Sequence, residues 1–245
     1  MLLEIDKFEQ FKIFFDVVYD ITEFIELQLF EDHMTCSILD KAHTRFMSAN
    51  FSKDFFASYE VDGAESVTLF SEDLHKIIKS SNKVENIVLM TNENYLICKI
   101  ESNNGNSRVF EFVLPSEFIE SPHPPNIPLP ISLSLDVGIL KQGIKDLKIM
   151  DSGEVQFNVV GNNFSITAGS EIHGNYSSTI STDETFDVDA VSRFSLEYIE
   201  QLMKFEKLNK VVELKMGSDL PLAYSFKNEG IEIKGLIAPR IEVED

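Results

Sequence analysis

The sequence lacks the long apolar segments that place a protein in or across a membrane. No stretch approaches the roughly 18 uninterrupted apolar residues of a membrane-spanning helix. The first residues, Met1-Leu-Leu-Glu-Ile-Asp, contain no basic segment ahead of an apolar run. We therefore expect neither membrane insertion nor secretion.

Cysteine is scarce as well. The chain has two cysteines, Cys36 and Cys98, and each lies in an apolar, strand-like run. Isolated thiols of this kind are typical of intracellular proteins, in which cysteine behaves as a small buried hydrophobe. The sequence predicts two reduced, buried thiols in preference to a disulfide.

Motifs of catalysis and metal binding are missing. The sequence contains no glycine-rich phosphate loop, no HExxH and no CxxC. His43 follows Asp40 closely, but no Ser or Cys nucleophile accompanies them in a recognisable motif. We expect no catalytic residue, no metal and no cofactor. The one enzymatic alternative is an acidic α/β hydrolase that would use paired carboxylates among the 41 present.

Basic residues are few relative to acidic ones. Lys and Arg number 21 against 41 Asp and Glu, so the formal net charge is −20. Binding of nucleic-acid phosphates requires concentrated Lys and Arg. Taken as a whole, this net charge argues against nucleic-acid binding. Whether any part of the surface could bind nucleic acid then depends on how the charges are distributed along the chain.

Proline marks a linker near the middle of the chain. Six of the eight prolines fall between Pro115 and Pro130, which excludes a helix or a central strand and favours an extended connection. The length of 245 residues also suits two domains of conventional size. We predict a first domain over 1–114, a linker over 115–128 and a second domain over 129–245.

The two halves show a weak internal repeat. A shift of 124 residues places Phe70-Ser71 on Phe194-Ser195, and Ile87-Val88 on Val211-Val212. Both windows have the pattern of an amphipathic helix, a short polar turn and an apolar strand. Alternating segments such as Ile25, Leu27 and Leu29 predict further strands throughout the chain.

Four amphipathic helices are predicted, at about 8–21, 72–80, 137–148 and 194–205. In the third, an apolar stripe at i, i+4 and i+7 is followed one position later by a lysine stripe with the same spacing. A helix cannot bury both stripes. The lysines Lys141, Lys145 and Lys148 are therefore expected to face water or a ligand.

The excess negative charge lies outside these helices. The windows 8–22, 71–83, 136–149 and 195–210 together hold ten basic and ten acidic residues, so the rest of the chain carries the whole of the −20. Lysine-rich surface helices are common, because lysine is a good helix former on a solvated face. The alternative is a comparatively positive surface that lies close to a nucleic acid without gripping it.

Three motifs relate the chain to a known family. They are Asp219-Leu-Pro-Leu-Ala-Tyr-Ser-Phe followed by Gly230, Leu236-Ile-Ala-Pro-Arg240 and an acidic tail; Leu39-Asp-Lys-Ala-His43; and Leu74-His-Lys-Ile-Ile-Lys79. Together with the mid-chain linker and the length of the chain, these motifs resemble the proliferating cell nuclear antigen family of DNA sliding clamps, in its archaeal form. They also occur in the order that this family shows. His33, Tyr19 and Gln142 depart from the family pattern.

The resemblance implies an α+β fold with two similar DNA-clamp domains, each a mostly antiparallel sheet with two channel-lining helices. Three chains would form a ring by head-to-tail contact. The edge strand Arg108–Leu114 would pair with the edge strand near Glu171–Ile180 of the next chain. The interface residues implied are Arg108, Phe110, Phe112, Ile172, Tyr176 and Thr179. Homotrimer and heterotrimer both remain open.

The resemblance also assigns two binding surfaces. The DNA-facing set is Lys12, Lys76, Lys79, Lys145 and Lys204 by position, with Lys141, Lys148 and Lys207 added by helical phase. The partner-peptide pocket is Leu39, His43, Thr44, Phe46, Pro221, Ile237, Ala238 and Pro239, beneath the linker. From the residues alone, ordinary core packing is the simpler interpretation of Leu39, Phe46 and Ile237.

The function implied is that of a DNA polymerase sliding clamp, a processivity factor without an active site. Its expected partners are double-stranded DNA, bound without regard to sequence, and DNA polymerase, clamp loader, flap endonuclease and DNA ligase. An alternative within the family is one subunit of a heterotrimeric clamp with specialised clients. The expected location is the archaeal cytoplasm, associated with the nucleoid, or the nucleus in a eukaryote.

Overall fold

The structure is a computed structural model that describes residues 1–81, 85–92, 94–116, 121–170, 174–182 and 184–241. The chain divides into two compact units. Unit 1 comprises Met1–His123 with Lys227–Ile233, and unit 2 comprises Pro124–Phe226 with Lys234–Asp245. In the predicted linker, residues 115–116 and 121–128 form neither helix nor strand, and 117–120 lie outside the described residues.

Unit 1 contains nine strands and two helices in its described part. The strands are β1 (Leu2–Ile5), β2 (Phe24–Leu29), β3 (His33–Leu39), β4 (Arg45–Ser52), β5 (Ser58–Glu60), β6 (Glu65–Phe70), β7 (Glu85–Thr91), β8 (Tyr95–Ser102) and β9 (Ser107–Val113). The helices are α1 (Phe8–Tyr19) and α2 (Ser71–Ser80). The strands are ordered β5-β1-β7-β8-β9 on one side and β4-β3-β2-β6 on the other, and these neighbours pair antiparallel.

The core of unit 1 is rich in phenylalanine. The ring of Phe14 on α1 meets the ring of Phe51 on β4 edge-on, with centroids 5.5 Å apart, and Phe51 also contacts Phe55 at 5.0 Å. The alternating residues Ile25 and Leu27 of β2 are buried as their period of two predicts. One face of the strands therefore packs on the helices, and the residues between point to the other face.

Unit 2 repeats this arrangement. Its strands are β10 (Ile131–Asp136), β11 (Glu154–Val160), β12 (Asn163–Ser170), β13 (Gly174–Ser181), β14 (Ala190–Ser195), β15 (Val211–Met216), β16 (Leu222–Asn228) and β17 (Ile231–Ile237). The adjoining ends of the last two strands, within Lys227–Ile233, are grouped with unit 1. Its helices are α3 (Val137–Leu147) and α4 (Leu196–Leu202), each followed by a 3₁₀ turn, Lys148–Met150 and Met203–Lys207. The strand orders are β13-β12-β11-β14 and β10-β15-β16-β17.

The two units share one order of elements. Apart from the short β5, both run strand, helix, four strands, helix, three strands. The sheet order β4-β3-β2-β6 of unit 1 corresponds strand for strand to β13-β12-β11-β14 of unit 2. The sequence repeat around residues 70 and 194 coincides with the β6–α2–β7 and β14–α4–β15 segments. The repeat is therefore one of architecture, carried by pattern more than by identity.

Both cysteines behave as the sequence predicts. Cys36 on β3 and Cys98 on β8 are free thiols with no solvent exposure. Burial raises the pKa of each thiol to about 12, since a thiolate would be desolvated there. Neither thiol is available as a nucleophile at neutral pH.

None of the helices in the described part of the chain is long and apolar enough to span a membrane.

Candidate nucleic-acid and partner-binding surfaces

The helices of unit 1 present lysines on the face opposite their apolar stripe. On α2, Leu74, Ile77 and Ile78 are buried, while Lys76 and Lys79 are exposed. Lys12 on α1 is half-buried. Phase along the helix alone accounts for this exposure, because residues at i, i+3 and i+4 share a face.

Lys76 and Lys79 differ in their electrostatic partners. The Lys76 Nζ lies 2.7 Å from the Glu72 Oε1, and this hydrogen bond raises the lysine pKa above its ordinary value. Within the described residues, Lys79 has no carboxylate within the 4.0 Å of an ion pair. Of the two, Lys79 therefore offers the less compensated charge.

An aromatic pair lies between α1 and α2. The rings of Tyr19 and His75 stack with centroids 4.1 Å apart, and the His75 Nδ1 is 3.3 Å from the Asp16 Oδ1. Tyr19 stands where the resemblance expected a basic residue, and it remains 41% exposed. The surface gains an aromatic face there in place of a charge.

The third helix confirms the two stripes predicted from the sequence. Leu140, Ile144 and Leu147 are buried, and Lys141, Lys145 and Lys148 are exposed. Asp136 caps the helix, with its Oδ1 accepting a hydrogen bond of 2.7 Å from the Gly138 backbone N–H.

The 3₁₀ turn after α4 and the residues just beyond it add three further lysines to unit 2. Lys204, Lys207 and Lys210 are all exposed. Glu206 lies among them and pairs with two lysines: its Oε2 is 2.5 Å from the Lys141 Nζ, and its Oε1 is 2.8 Å from the Lys210 Nζ. These two hydrogen bonds lower the pKa of Glu206 to about 2.

A second cross-helix pair joins Lys148 to Glu200, at 2.5 Å. Lys145 and Lys207 have no carboxylate within ion-pair distance in the described part of unit 2. The structure thus divides the predicted DNA-facing lysines into paired and unpaired groups, which the sequence could not do.

Gln142, the other departure from the family pattern, has a local partner. Its Nε2 donates to the Asp146 Oδ1 at 2.7 Å, and the Tyr176 hydroxyl donates to the other oxygen at 3.1 Å. Asp146 is therefore occupied by neutral donors and is not the partner of a lysine.

The loop that carries His43 is organised by Asp40. The Asp40 Oδ1 accepts from the backbone N–H groups of Thr44 and Arg45 at 2.7 and 2.8 Å, and its Oδ2 accepts from the Thr44 hydroxyl at 2.7 Å. Burial alone would raise the pKa of Asp40, but these hydrogen bonds outweigh it and lower the pKa. His43 is exposed, in the left-handed region with φ 57°.

The carboxylate of Asp40 therefore serves to accept hydrogen bonds from the loop. This role explains why Asp40 lies close to His43 without invoking acid–base chemistry. We expect Asp40→Ala to cost about 2–4 kcal/mol of unfolding free energy, since two N–H groups and a hydroxyl lose a charged acceptor. Asp40→Asn should cost about 1 kcal/mol, because its oxygen can still accept from the backbone. Urea denaturation followed by circular dichroism measures both.

The matched control is Asp62→Ala in an exposed turn, expected within about 0.5 kcal/mol of wild type. Because the pKa of Asp40 is lowered on folding, its contribution is complete above the ordinary aspartate pKa and is lost as the pH falls further. The difference between wild type and Asp40→Asn should shrink accordingly in acid. A difference that does not change with pH would contradict this role of the carboxylate.

Leu39 and Phe46 lie on the sheet face that points away from α1. Phe51 packs against that helix, and Phe46 points to the opposite face by the alternation of β4. Leu39 pairs with Phe46 across β3 and β4, so it shares this face. Leu39 is half-buried and Phe46 is 5% exposed. Both residues lie outside the helix-packed core, which distinguishes them from ordinary core positions.

These two residues continue an apolar row across four strands. Phe24 pairs with Phe70, with ring centroids 4.8 Å apart. Continuing the register in which Leu27 faces Cys36 brings Phe24 level with Leu39. The next row on this face is polar and contains Glu26. The apolar row thus forms one end of an otherwise polar surface.

Sequence reasoning did not single out Glu26, and the structure ties this residue to the linker. It is 2% exposed, and its Oε2 accepts from the Ser121 hydroxyl at 2.5 Å. Its Oε1 has no hydrogen-bond partner in the described residues. The alternation of β2 places Glu26 on the outward face, where Ser121 and Gln28 both donate to its Oε2.

The C-terminal pocket residues belong to unit 2. Ile237, the last residue of β17, is buried, and Pro221, Ala238 and Pro239 are half-buried. Beyond Ile237 the chain runs beside β14, since the Arg240 backbone N–H donates to the Arg193 carbonyl at 2.8 Å.

The residues predicted to form the interface between subunits lie on edge strands, where the structure describes them. β9 ends one sheet of unit 1 and β13 ends one sheet of unit 2. Arg108 is held within unit 1 by both oxygens of Glu85, each at 2.9 Å. Phe110 and Phe112 stack with centroids 6.3 Å apart. Tyr176 is half-buried and Thr179 is exposed, whereas Ile172 lies outside the described residues.

In the described part of the chain, no group of three or more His, Cys, Asp or Glu side chains is placed to hold a metal ion.

Comparison with known proteins shows what the chain resembles. Residues 2–120 match the model of the proliferating cell nuclear antigen N-terminal domain. A DNA polymerase sliding clamp of Methanothermobacter thermautotrophicus is 28% identical over 234 residues, which cover 94% of each chain. DNA polymerase sliding clamp 3 of Sulfurisphaera tokodaii is 25% identical over 250 residues, covering 99% of this chain and 100% of the relative.

Solved structures show the same fold. PCNA from Thermococcus kodakaraensis superposes with a TM-score of 0.87 at 18% identity, covering 98% of this chain and 99% of that one. A. fulgidus PCNA bound to the C-terminal region of FEN-1 gives 0.88 at 20% identity and 99% coverage of both. The fold is the α+β clamp fold predicted. The match over residues 2–120 and the similarity to sliding clamps over nearly the whole chain confirm the resemblance carried by its motifs.

Proposed function

We propose that this chain is a subunit of a DNA polymerase sliding clamp, which encircles duplex DNA and tethers replication and repair proteins to it. The observation that carries the proposal is that both repeated units expose lysines from their paired helices, in a chain with net charge −20. The similarity to sliding clamps over 94% of both chains supports it and favours it over an acidic hydrolase.

The contact with DNA is electrostatic and independent of sequence. Lysine side chains interact with phosphates as point charges and read no base edges. A surface with few uncompensated lysines releases few counterions, so it holds the duplex weakly. The clamp then depends on its closed ring, and not on affinity, to stay on DNA.

The ring forms through β9 of one chain and β13 of the next. Each strand presents unpaired backbone N–H and C=O groups at a sheet edge, and pairing them would continue the sheet between chains. A PCNA2–PCNA3 complex from Sulfolobus tokodaii is among the structures with this fold. A homotrimer and a heterotrimer are therefore both compatible with this joint.

Client proteins bind the outward face through a short peptide. Leu39 and Phe46 offer apolar contacts in unit 1, and Pro221, Ile237, Ala238 and Pro239 do so in unit 2. His43 and Thr44 lie on the adjoining loop. The expected clients are DNA polymerase, clamp loader, flap endonuclease and DNA ligase; A. fulgidus PCNA is seen with the C-terminal region of FEN-1.

The chain acts without a catalytic site, metal or cofactor of its own, by raising the local concentration of its clients at DNA. We place it in the cytoplasm of an archaeal cell, at the nucleoid.

A topological test distinguishes a clamp from an ordinary DNA-binding protein. The chain is loaded onto a nicked circular plasmid by an archaeal clamp loader and ATP, then separated by gel filtration at a salt concentration that removes loosely bound protein. We expect it to stay with the circle and to be lost once the plasmid is linearised. Equal retention on circular and linear DNA would contradict encirclement, and so would equal loss.

A further inference from the structure

Glu206 uses both of its oxygens to neutralise lysines of the helix surface in unit 2. One oxygen reaches Lys141 on α3 at 2.5 Å and the other reaches Lys210 at 2.8 Å. Its side chain is only 19% exposed, whereas those of the two lysines are 58% and 72% exposed. The carboxylate therefore lies beneath its lysines, and the cations stand between it and solvent.

Two further helix carboxylates each pair with a single lysine, and both are more exposed than Glu206. Glu200 pairs with Lys148 at 2.5 Å in unit 2, and Glu72 pairs with Lys76 at 2.7 Å in unit 1. Among the lysines assigned to DNA, Lys76, Lys141 and Lys148 thus pair with a carboxylate of their own chain, and so does Lys210 beside them. Lys79, Lys145 and Lys207 carry none in the described residues.

A paired lysine is a poor phosphate ligand. A phosphate that approaches Lys141 must displace Glu206 or share the ammonium with it, and the net gain in counterion release is small. The pKa of Glu206 is lowered to about 2, so this carboxylate stays ionised at any pH at which duplex DNA is handled. Its charge is therefore a constant feature of the surface.

We propose that Glu206, Glu200 and Glu72 are internal counter-anions that compete with DNA phosphates for the helix lysines and hold the affinity for DNA low. They act through the lysines and do not touch DNA themselves. The inference rests on the proposed function, since it concerns the surface that faces the duplex. It explains how lysine-rich helices can lie against DNA without arresting movement along it.

A purely structural role is the competing explanation. The Lys141–Glu206 contact links α3 to the turn after α4, across 65 residues of sequence. A structural tie would change the melting temperature when it is broken. It would leave the number of ions released on DNA binding unchanged, so the salt dependence of binding separates the two roles.

The test compares Glu206→Gln with Glu213→Gln in the full chain. Glu213 is exposed on β15 and accepts a hydrogen bond from Ser225 at 3.1 Å, so the control removes the same charge from the same unit away from the helices. Binding to a fluorescent 30-base-pair duplex is measured by anisotropy over a salt series. For Glu206→Gln we expect a slope of log K against log salt that is steeper by about 1–2, and about tenfold tighter binding at low salt.

Glu206→Asp should keep the slope of wild type. An equal effect of Glu206→Gln and Glu213→Gln would overturn the proposal, because net charge alone would then explain it; so would an unchanged slope in both. Lys145→Ala with Lys207→Ala serves to test the underlying function separately. If the double-lysine variant binds DNA as wild type does, the assignment of this surface to DNA fails. If that variant binds more weakly but Glu206→Gln leaves the salt slope unchanged, only the counter-anion role of the glutamates is refuted.

Discussion

Reversing three unpaired helix charges should nearly abolish DNA binding by this chain. The variant is Lys79→Glu with Lys145→Glu and Lys207→Glu, at exposed positions that have no carboxylate within ion-pair distance in the described residues. Removing three phosphate contacts should weaken binding on the order of a hundredfold at about 0.1 M salt. We expect stimulation of a clamp-dependent polymerase on long templates to fall in parallel.

These lysines were selected because their loss disturbs little else. None of them closes a cross-helix pair, unlike Lys141 and Lys148. The fold should remain intact, as circular dichroism and the melting temperature would verify.

The charge-matched control reverses three lysines on other elements, Lys53, Lys99 and Lys215, of which Lys99 forms an ion pair with Glu101. They lie on the 3₁₀ turn after β4, on β8 and on β15, and the change in net charge is the same. The control should retain most of the DNA binding. Equal loss in both triple variants would show that overall charge, and not the helix surface, governs binding, and would contradict the proposed DNA-facing set.

Placing acids on β9 should prevent the chain from forming a ring. Val109 and Val113 are 57% and 66% exposed on this edge strand, with the acidic Glu111 between them on the same side. Val109→Asp with Val113→Asp would create a row of three carboxylates. β13, the predicted partner strand, is Gly-Asn-Tyr-Ser-Ser-Thr-Ile-Ser and has no cation to pair with them.

Uncompensated charge at a closed joint carries a desolvation cost of several kcal/mol. We therefore expect the trimer dissociation constant to rise at least about a hundredfold. Light scattering over a dilution series should show wild type near three times 27.8 kDa and the variant near 27.8 kDa. Because β9 is solvated in the single chain, the melting temperature of the monomer should change little.

Two apolar residues exposed on other strands give the control. Val160 on β11 and Val211 on β15 are 56% and 44% exposed, and the double change to Asp should leave the mass of the assembly as in wild type. A trimer that survives the acids on β9 would rule out this strand as the joint. A wild-type chain that is monomeric at all concentrations would exclude the homotrimer and direct the test to a mixture with sister chains.

Features of short range could be predicted from the sequence. The burial of Leu140, Ile144 and Leu147 beside exposed lysines follows from the period of a helix, which is set by local backbone geometry. The buried thiols and the alternation of β2 follow likewise from the period of a strand. The family and the fold were accessible as well, because the motifs lie in the right order along the chain.

The partners of the charged side chains could not be predicted from the sequence. The sequence counts ten acids and ten bases in the helical windows, but it does not say which of them meet. Glu206 lies 65 residues from Lys141, and Ser121 lies 95 residues from Glu26. Such pairs depend on how helices and strands pack, which the local pattern leaves undetermined.

The sequence by itself therefore determined the periodic, one-dimensional features of this protein: its strands and helices, and which side of each helix is apolar. Only the tertiary structure decided which lysines are neutralised, why Asp40 is spent on the loop of His43, and that Leu39 and Phe46 lie outside the helix-packed core. The physical reason is range. Backbone periodicity acts over a few residues, whereas a hydrogen bond or ion pair requires two atoms to come within about 3 Å, wherever they stand in the chain.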